Sequence, residues 1–187
     1  MAFVESEVVE LKAEAVGDIC KEVIAFANTK GGTLYIGVSD DGSVVGVKNA
    51  DQVILQLNNM IRDSIKPDVT MFVGYETQHV GDKDIIAVTI QKGIDRPYYL
   101  GSKGLKPSGV YVRNGTSSDP ATDTAIRRMI KETDGDSFES MRSLEQNLSF
   151  EAAKKKFEKQ NILFDPAKKQ TLGMISADGI YSNVALL

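Results

Sequence analysis

The chain has 187 residues, 42% of them hydrophobic, and a formal charge of −4. This suits one ordinary domain, or a domain with an appendage, and excludes the disordered class. One cysteine, Cys20, and one histidine, His79, exclude an internal disulfide and a Cys/His zinc site, and His79 sits in polar, turn-like surroundings that suit no catalytic triad.

Residues 4–12 (VESEVVELK) are β-prone, with partial alternation and three glutamates. A helix follows Gly17, with Asp18 as its N-cap and Ile19, Val23, Phe26 and Ala27 on one apolar face. Cys20 reads as a small core side chain. Asn28 and the glycines at 31–32 close that helix, and residues 33–38 (TLYIGV) form a short central strand. Asp40-Asp41-Gly42 predicts a tight turn and residues 44–47 a returning strand. Asn49 caps a second helix, with Val53, Leu57, Ile61 and Ile65 at steps of four, and Pro67 ends it.

Residues 69–77 and 84–91 predict an antiparallel pair around Gly81-Asp82. Residues 92–109 are a long loop rich in Gly, Pro and Lys, of a length that marks function or mobility. A strand at 109–113 and a helix at 122–131, with Ile126, Met129 and Ile130 inward, complete an α/β (α+β) fold around a mixed sheet. The first domain then spans 1–133, a polar linker 134–148 and a helical segment 149–187. That segment holds a helix from 149 to about 160 and another opened by Asp165-Pro166. Its last residues, 183–187, are an apolar run without a stop signal and read as chain that continues. No signal-peptide pattern and no apolar run near the roughly 18 residues of a membrane span occur, so a cytoplasmic protein without a membrane partner is expected.

Three kinds of chemistry are suggested by these residues. The glycines at 31–32 close a helix rather than open one, so carbonyls face outward there. No G-K-[ST] follows, and phosphate binding of the P-loop kind is excluded. Glu5, Glu7, Glu10, Asp40 and Asp41 lie at the ends of elements, and metal-dependent nucleases need two or three convergent carboxylates. Glu5 and Glu10 are an odd number of residues apart, so a regular strand would put them on opposite faces and a shared site needs a bulge or a loop. Lys92, Asp95, Arg96, Lys103, Lys106 and Arg113 make a net basic loop in an acidic protein. The negative total argues against nonspecific coating of nucleic acid and is compatible with a dimerisation or partner-docking module.

The stretches E-S-E-V-V-E-L-K, A-F-A-N-T-K-G-G-T-L-Y-I-G-V-S-D-D-G, R-P-Y-Y and G-V-Y-V-R-N-G-T-S-S resemble the Schlafen AlbA-like domain, over residues 4–132. The resemblance implies a mixed α/β nucleic-acid-binding module without a cofactor, as in bacterial and archaeal DNA-binding transcriptional regulators and helicase-related proteins. Lys12, Lys30, Arg96, Lys103, Lys106 and Arg113 are then expected on phosphates of DNA or RNA, and Tyr98 and Tyr99 on bases. Some animal Schlafens are endoribonucleases with a trio of carboxylates, and the corresponding positions are Glu5, Glu10 and Asp40, which would hold Mg²⁺ or Mn²⁺. Lys12 completes the family's E-x-x-x-x-E-[FL]-K. Those nucleases carry a Cys/His zinc set absent here and join two such domains into a clamp, which a homodimer would rebuild. A binding module is therefore expected ahead of an enzyme.

Overall fold

A computed structural model describes residues 3–16, 18–133, 139–176 and 178–186. The chain divides into two compact units, Met1–Thr133 and Asp134–Leu187. In the first unit the elements are β1 (Val9–Lys12), α1 (Ile19–Asn28), β2 (Gly32–Ile36), α2 (Ala50–Ser64), β3 (Ile65–Lys66), β4 (Val73–Val80), β5 (Lys83–Ile90), β6 (Tyr99–Leu100), β7 (Tyr111–Asn114), β8 (Ser117–Pro120) and α3 (Asp123–Thr133). The main sheet has the order β1-β2-β5-β4, with β1 and β2 parallel and the other neighbours antiparallel. Two small ladders, β3 with β6 and β7 with β8, stand beside it. The mixed α/β expectation is met.

Helix α1 crosses from β1 to its parallel neighbour β2 and is buried almost all round. Ile19, Val23, Ile24 and Phe26 pack on Leu34, Ile36, Ile86 and Val88 of the sheet and on Leu57 and Ile61 of α2. Each such side chain contributes about 1.5–3 kcal/mol on full burial. The opposite sheet face carries a smaller cluster of Leu11, Val38 and Ile85. A third, of Val110, Ala121, Ile126 and Met129, seats α3.

The helix stop after Asn28 works as its residues require. The Phe26 carbonyl accepts from both Thr29 N–H (3.1 Å) and Gly31 N–H (2.9 Å). Gly31 has φ +79°, and a Cβ there would lie 2.6 Å from the Ile90 carbonyl oxygen. A Cβ on Gly32 would lie 2.4 Å from the Phe26 ring. The Gly-Gly pair is thus a left-handed turn followed by a ring-against-backbone contact that no side chain fits.

Four local expectations change. Asp18 does not cap α1 with its side chain; its carboxylate pairs with Lys21 Nζ at 2.6 Å instead. Residues 44–47 make no strand beyond one Val38–Val44 bridge, because the Gly37 carbonyl accepts from both Val45 and Gly46 (2.9 Å each) and the backbone curls. Residues 70–72 form a turn of 3₁₀ helix, opened by Asp68, whose carboxylate accepts from Thr70 N–H at 2.9 Å. The long loop is pinned: Gly93 N–H donates to the Ala27 carbonyl (2.9 Å) and β6 pairs with β3.

In the second unit, α4 (Glu151–Glu158) and α5 (Pro166–Thr171) enclose an aromatic group of Phe150, Phe157, Phe164 and Tyr181. Lys169 Nζ lies 4.4 Å from the centroid of the Phe150 ring. The Asp165 carboxylate caps α5, accepting from Lys168 N–H at 2.7 Å. Of the expected linker, residues 134–138 lie outside the described residues. The rest is bound into this unit, where Ser143 N–H donates to the Tyr181 carbonyl (2.8 Å) and Tyr181 N–H to Gln146 Oε1 (2.9 Å).

Asn28 joins three segments of the first unit. Its amide donates to the carbonyls of Tyr98 (2.9 Å) and Tyr111 (3.0 Å), and its Oδ1 accepts from Tyr98 N–H (2.8 Å). Replacing Asn28 by Ala leaves buried backbone groups without partners and is expected to cost about 3 kcal/mol or more in urea unfolding at neutral pH. Asn28→Asp is expected to be at least as damaging, since it sets a carboxylate oxygen against two carbonyls. A loss below about 1 kcal/mol for both would contradict this role.

Candidate nucleic-acid interface

Strand β7 runs Tyr111, Val112, Arg113, Asn114, and its alternation turns Tyr111 and Arg113 inward. Arg113, with 1% of its side chain exposed, meets two carboxylates there. Its Nη1 donates to Glu10 Oε2 of β1 (2.8 Å), Glu22 Oε2 of α1 (3.1 Å) and Ser118 Oγ of β8 (3.1 Å). Its Nη2 donates to the Ser6 carbonyl (2.8 Å), and the guanidinium lies 4.7 Å from the centroid of the Phe26 ring. The other Glu10 oxygen accepts from Lys12, two residues along β1 on the same face, and Ser118 Oγ donates to Glu22.

This cluster shifts its members. Burial pushes the Glu22 carboxyl above its ordinary range; the Ser118 hydrogen bond opposes this, the Glu10 charge adds to it, and Lys12 and Arg113 oppose it. Lys12 would be lowered by its burial, but the hydrogen bond and charge of Glu10, with the charges of Glu22 and Glu5, raise it.

The acids expected to hold a metal are not assembled. Among the described residues no group of three or more His, Cys, Asp or Glu side chains is placed to hold a metal ion. Glu10 spends both oxygens on cations, and the Glu22 carboxylate shares Arg113 with it. Glu5 is half-buried and acts on Lys12 by its charge. Asp40 is exposed in the loop after β2, which is held by the Asp41 carboxylate accepting from Ser43 N–H at 2.9 Å. His79 is exposed on the β4–β5 hairpin, paired across the strands with Asp84.

The basic and aromatic expectations divide. Arg113 and Tyr98 are corrected: both are buried, Arg113 by its carboxylates and Tyr98 by the core and by Asn28, so neither reaches a phosphate or a base on the surface. Lys12 is held by Glu10. Tyr99 is half-buried against the cluster that seats α3. Lys103 is exposed and donates to Tyr111 Oη at 3.2 Å, and Lys106 is exposed. Lys30 and Arg96 come together with Lys92, which opens the expected basic loop, and with Arg128, which was not among the expected contacts.

These four cations and the buried Arg113 line one open cavity of about 410 Å³, against two carboxylates, Glu7 and Glu132. Lys30 pairs with Glu7 (2.8 Å), and Glu132 pairs with Arg96 (3.2 Å) and Arg128 (2.9 Å). Lys92 has no ion pair among the described residues. The Arg128–Glu132 spacing of four was legible as a helix-surface pair. Nothing local to α3 indicates that it faces the end of α1 and the Lys92–Arg96 segment.

A family model described as "Schlafen, AlbA_2" matches residues 5–122. The chain belongs to the Schlafen AlbA_2 family. The match covers β1 through β8, and so includes the buried Glu10–Glu22–Arg113 cluster and most of the cavity wall. Among solved structures, a protein of Corynebacterium diphtheriae is 17% identical with a TM-score of 0.52, covering 96% of this chain and 34% of its own, which speaks to the fold. The chain thus spans about a third of that protein's length. The N-terminal domain of a helicase RecG-related protein from Nitrosomonas europaea is 28% identical with a TM-score of 0.44, covering 61% of this chain and 82% of its own. No curated protein matches the chain. Among the described residues no helix is long and apolar enough to cross a membrane.

The AlbA_2 domain's buried cluster gives a pH test. Replacing Arg113 by Met leaves Glu10 and Glu22 without their shared cation and is expected to cost about 3–5 kcal/mol at neutral pH. The Glu22 carboxyl, already held above its ordinary range by burial, then loses the opposing charge of Arg113 and is raised further. The native state is favoured when it is protonated, so the deficit should shrink as pH falls toward the unfolded value of 4.5. Urea unfolding of both proteins across that range measures this, and a deficit independent of pH would contradict it.

Proposed function

We propose that this domain binds nucleic acid, DNA in the first place, and serves as the binding module of a transcriptional regulator. The observation that carries the reading is the gathering of Lys30, Lys92, Arg96 and Arg128 around one cavity in a chain of net charge −4. Family membership supports it, because the AlbA-like resemblance implies nucleic-acid binding. Phosphate contacts supply most nonspecific affinity, and a local basic groove provides them whatever the total charge. The surface pairs to Glu7 and Glu132 are weak and exchangeable, so the cations are available to phosphates at little cost. A homodimer would present two such grooves. The metal-dependent nuclease reading draws no support from the arrangement, since Glu10 is neutralised by Arg113 and Lys12.

Fluorescence anisotropy with labelled duplex DNA and a structured RNA tests the reading. Affinity should fall with salt, by about 0.9 in log–log slope for each phosphate neutralised. The double change Lys92→Glu with Arg128→Glu should weaken binding at least about 10-fold and flatten the slope by about 2. Lys48→Glu, at an exposed lysine away from the cavity, should leave binding unchanged. Absence of binding at low salt, or equal effects of the two variants, would overturn the proposal. Tighter binding of the RNA would reassign its preferred partner.

A further inference from the structure

The cavity has a feature that a groove for a passing backbone does not need. Among the described residues, four buried side-chain polar atoms find no hydrogen-bond partner, and two of them are the Nε of Arg96 and the Nε of Arg113. Both arginines line this one cavity. A buried N–H without an acceptor is rare in folded proteins and calls for an explanation, which a ligand supplies. Arg113 engages Nη1 and Nη2, and Arg96 engages Nη2 with Glu132. Their side chains are 1% and 14% exposed, so what remains is recessed below the surface.

We propose that this cavity receives a terminal phosphate, the monoester at the end of a nucleic-acid strand or on a free nucleotide. The inference rests on the groove being the nucleic-acid surface proposed above, and adds what it selects. A bridging phosphodiester is tethered on both sides and offers two free oxygens, so it lies across a mouth rather than entering a recess. A terminal phosphate has one tether and three acceptor oxygens, and carries close to two negative charges at neutral pH. It matches recessed arginine donors surrounded by Lys30, Lys92 and Arg128. The volume of about 410 Å³ lies within the range of small-ligand pockets and admits the phosphate with the nucleoside that carries it. Glu10 and Glu22 balance the charge of Arg113, so attraction at the mouth comes from the other four cations. Glu7 and Glu132 would yield their cations to the stronger anion.

The test compares one oligonucleotide sequence with a 5′-phosphate, a 3′-phosphate or hydroxyls at both ends, using the whole chain and anisotropy. A nucleoside monophosphate and inorganic phosphate serve as separate probes, read by the NMR signals of the arginine Nε–H groups. At least one phosphorylated strand should bind about 10-fold or more tightly than the hydroxyl strand. Arg96→Gln and Lys92→Gln should each shrink that advantage, lowering affinity for the phosphorylated strand by a larger factor than affinity for the hydroxyl strand. Lys92 is exposed, so its variant keeps the test sound if Arg96→Gln misfolds. Inorganic phosphate should shift the Arg96 and Arg113 Nε–H signals. Equal affinity for all three strands, with salt-sensitive binding retained, would overturn the pocket and leave the groove. Shifts with the nucleoside monophosphate but no strand binding would uphold the pocket and overturn the nucleic-acid reading. No shift with either small probe would overturn the pocket.

Discussion

The carboxamide of Asn28 is the constraint on which the candidate site depends. It closes the C-terminal end of α1 and, from that one position, satisfies the N–H and C=O of Tyr98 and the C=O of Tyr111. The first contact sets the segment that carries Lys92 and Arg96, and the second sets the strand that carries Arg113. A side chain that both donates and accepts is needed, in a place where water does not reach, and an amide of this length does it. The cavity walls therefore have a fixed geometry before any ligand arrives.

Arg113 provides the second tie. It links β1, α1 and β8 through Glu10, Glu22 and Ser118, over sequence separations of 103, 91 and 5 residues. Burying these charges is favourable only because they are matched, and removing one partner would strand the others. The same matching takes Glu10 out of consideration as a metal ligand and Arg113 as a surface phosphate contact. In this domain Glu10 of the first strand is held in an ion-paired cluster, and Lys30, Lys92, Arg96 and Arg128 line the cavity.

Much of this was legible locally. The Asn49 and Asp165 caps, the Gly81-Asp82 hairpin and the Gly-Gly stop all follow from the backbone needs of single residues. Two signals for the buried cluster were also present. Arg113 alternates in phase with Tyr111, and Glu22 lies three residues after Ile19 and four before Phe26, on the apolar stripe of α1. A charge on a buried face demands a partner. The identity of that partner was not legible, because strand register and helix packing place Glu10 and Arg113 together from opposite ends of the domain. The same holds for the cavity: Lys30, Lys92 and Arg128 sit on three elements whose juxtaposition no local pattern encodes. Residues 44–47 failed for the converse reason, since a β-prone composition gave way to a curled backbone around the Gly37 carbonyl.

The nucleic-acid surface proposed for the first unit is its cation-lined cavity. Backbone-amide NMR during titration with a short DNA duplex tests it most directly. Perturbed residues should concentrate at Thr29 and Lys30, at Lys92 to Arg96 and along the Ala125–Glu132 face of α3, with the Asp40 loop silent. Perturbations centred on Lys103 and Lys106, or on the lysines of α4 and α5, with the cavity residues unmoved, would contradict it.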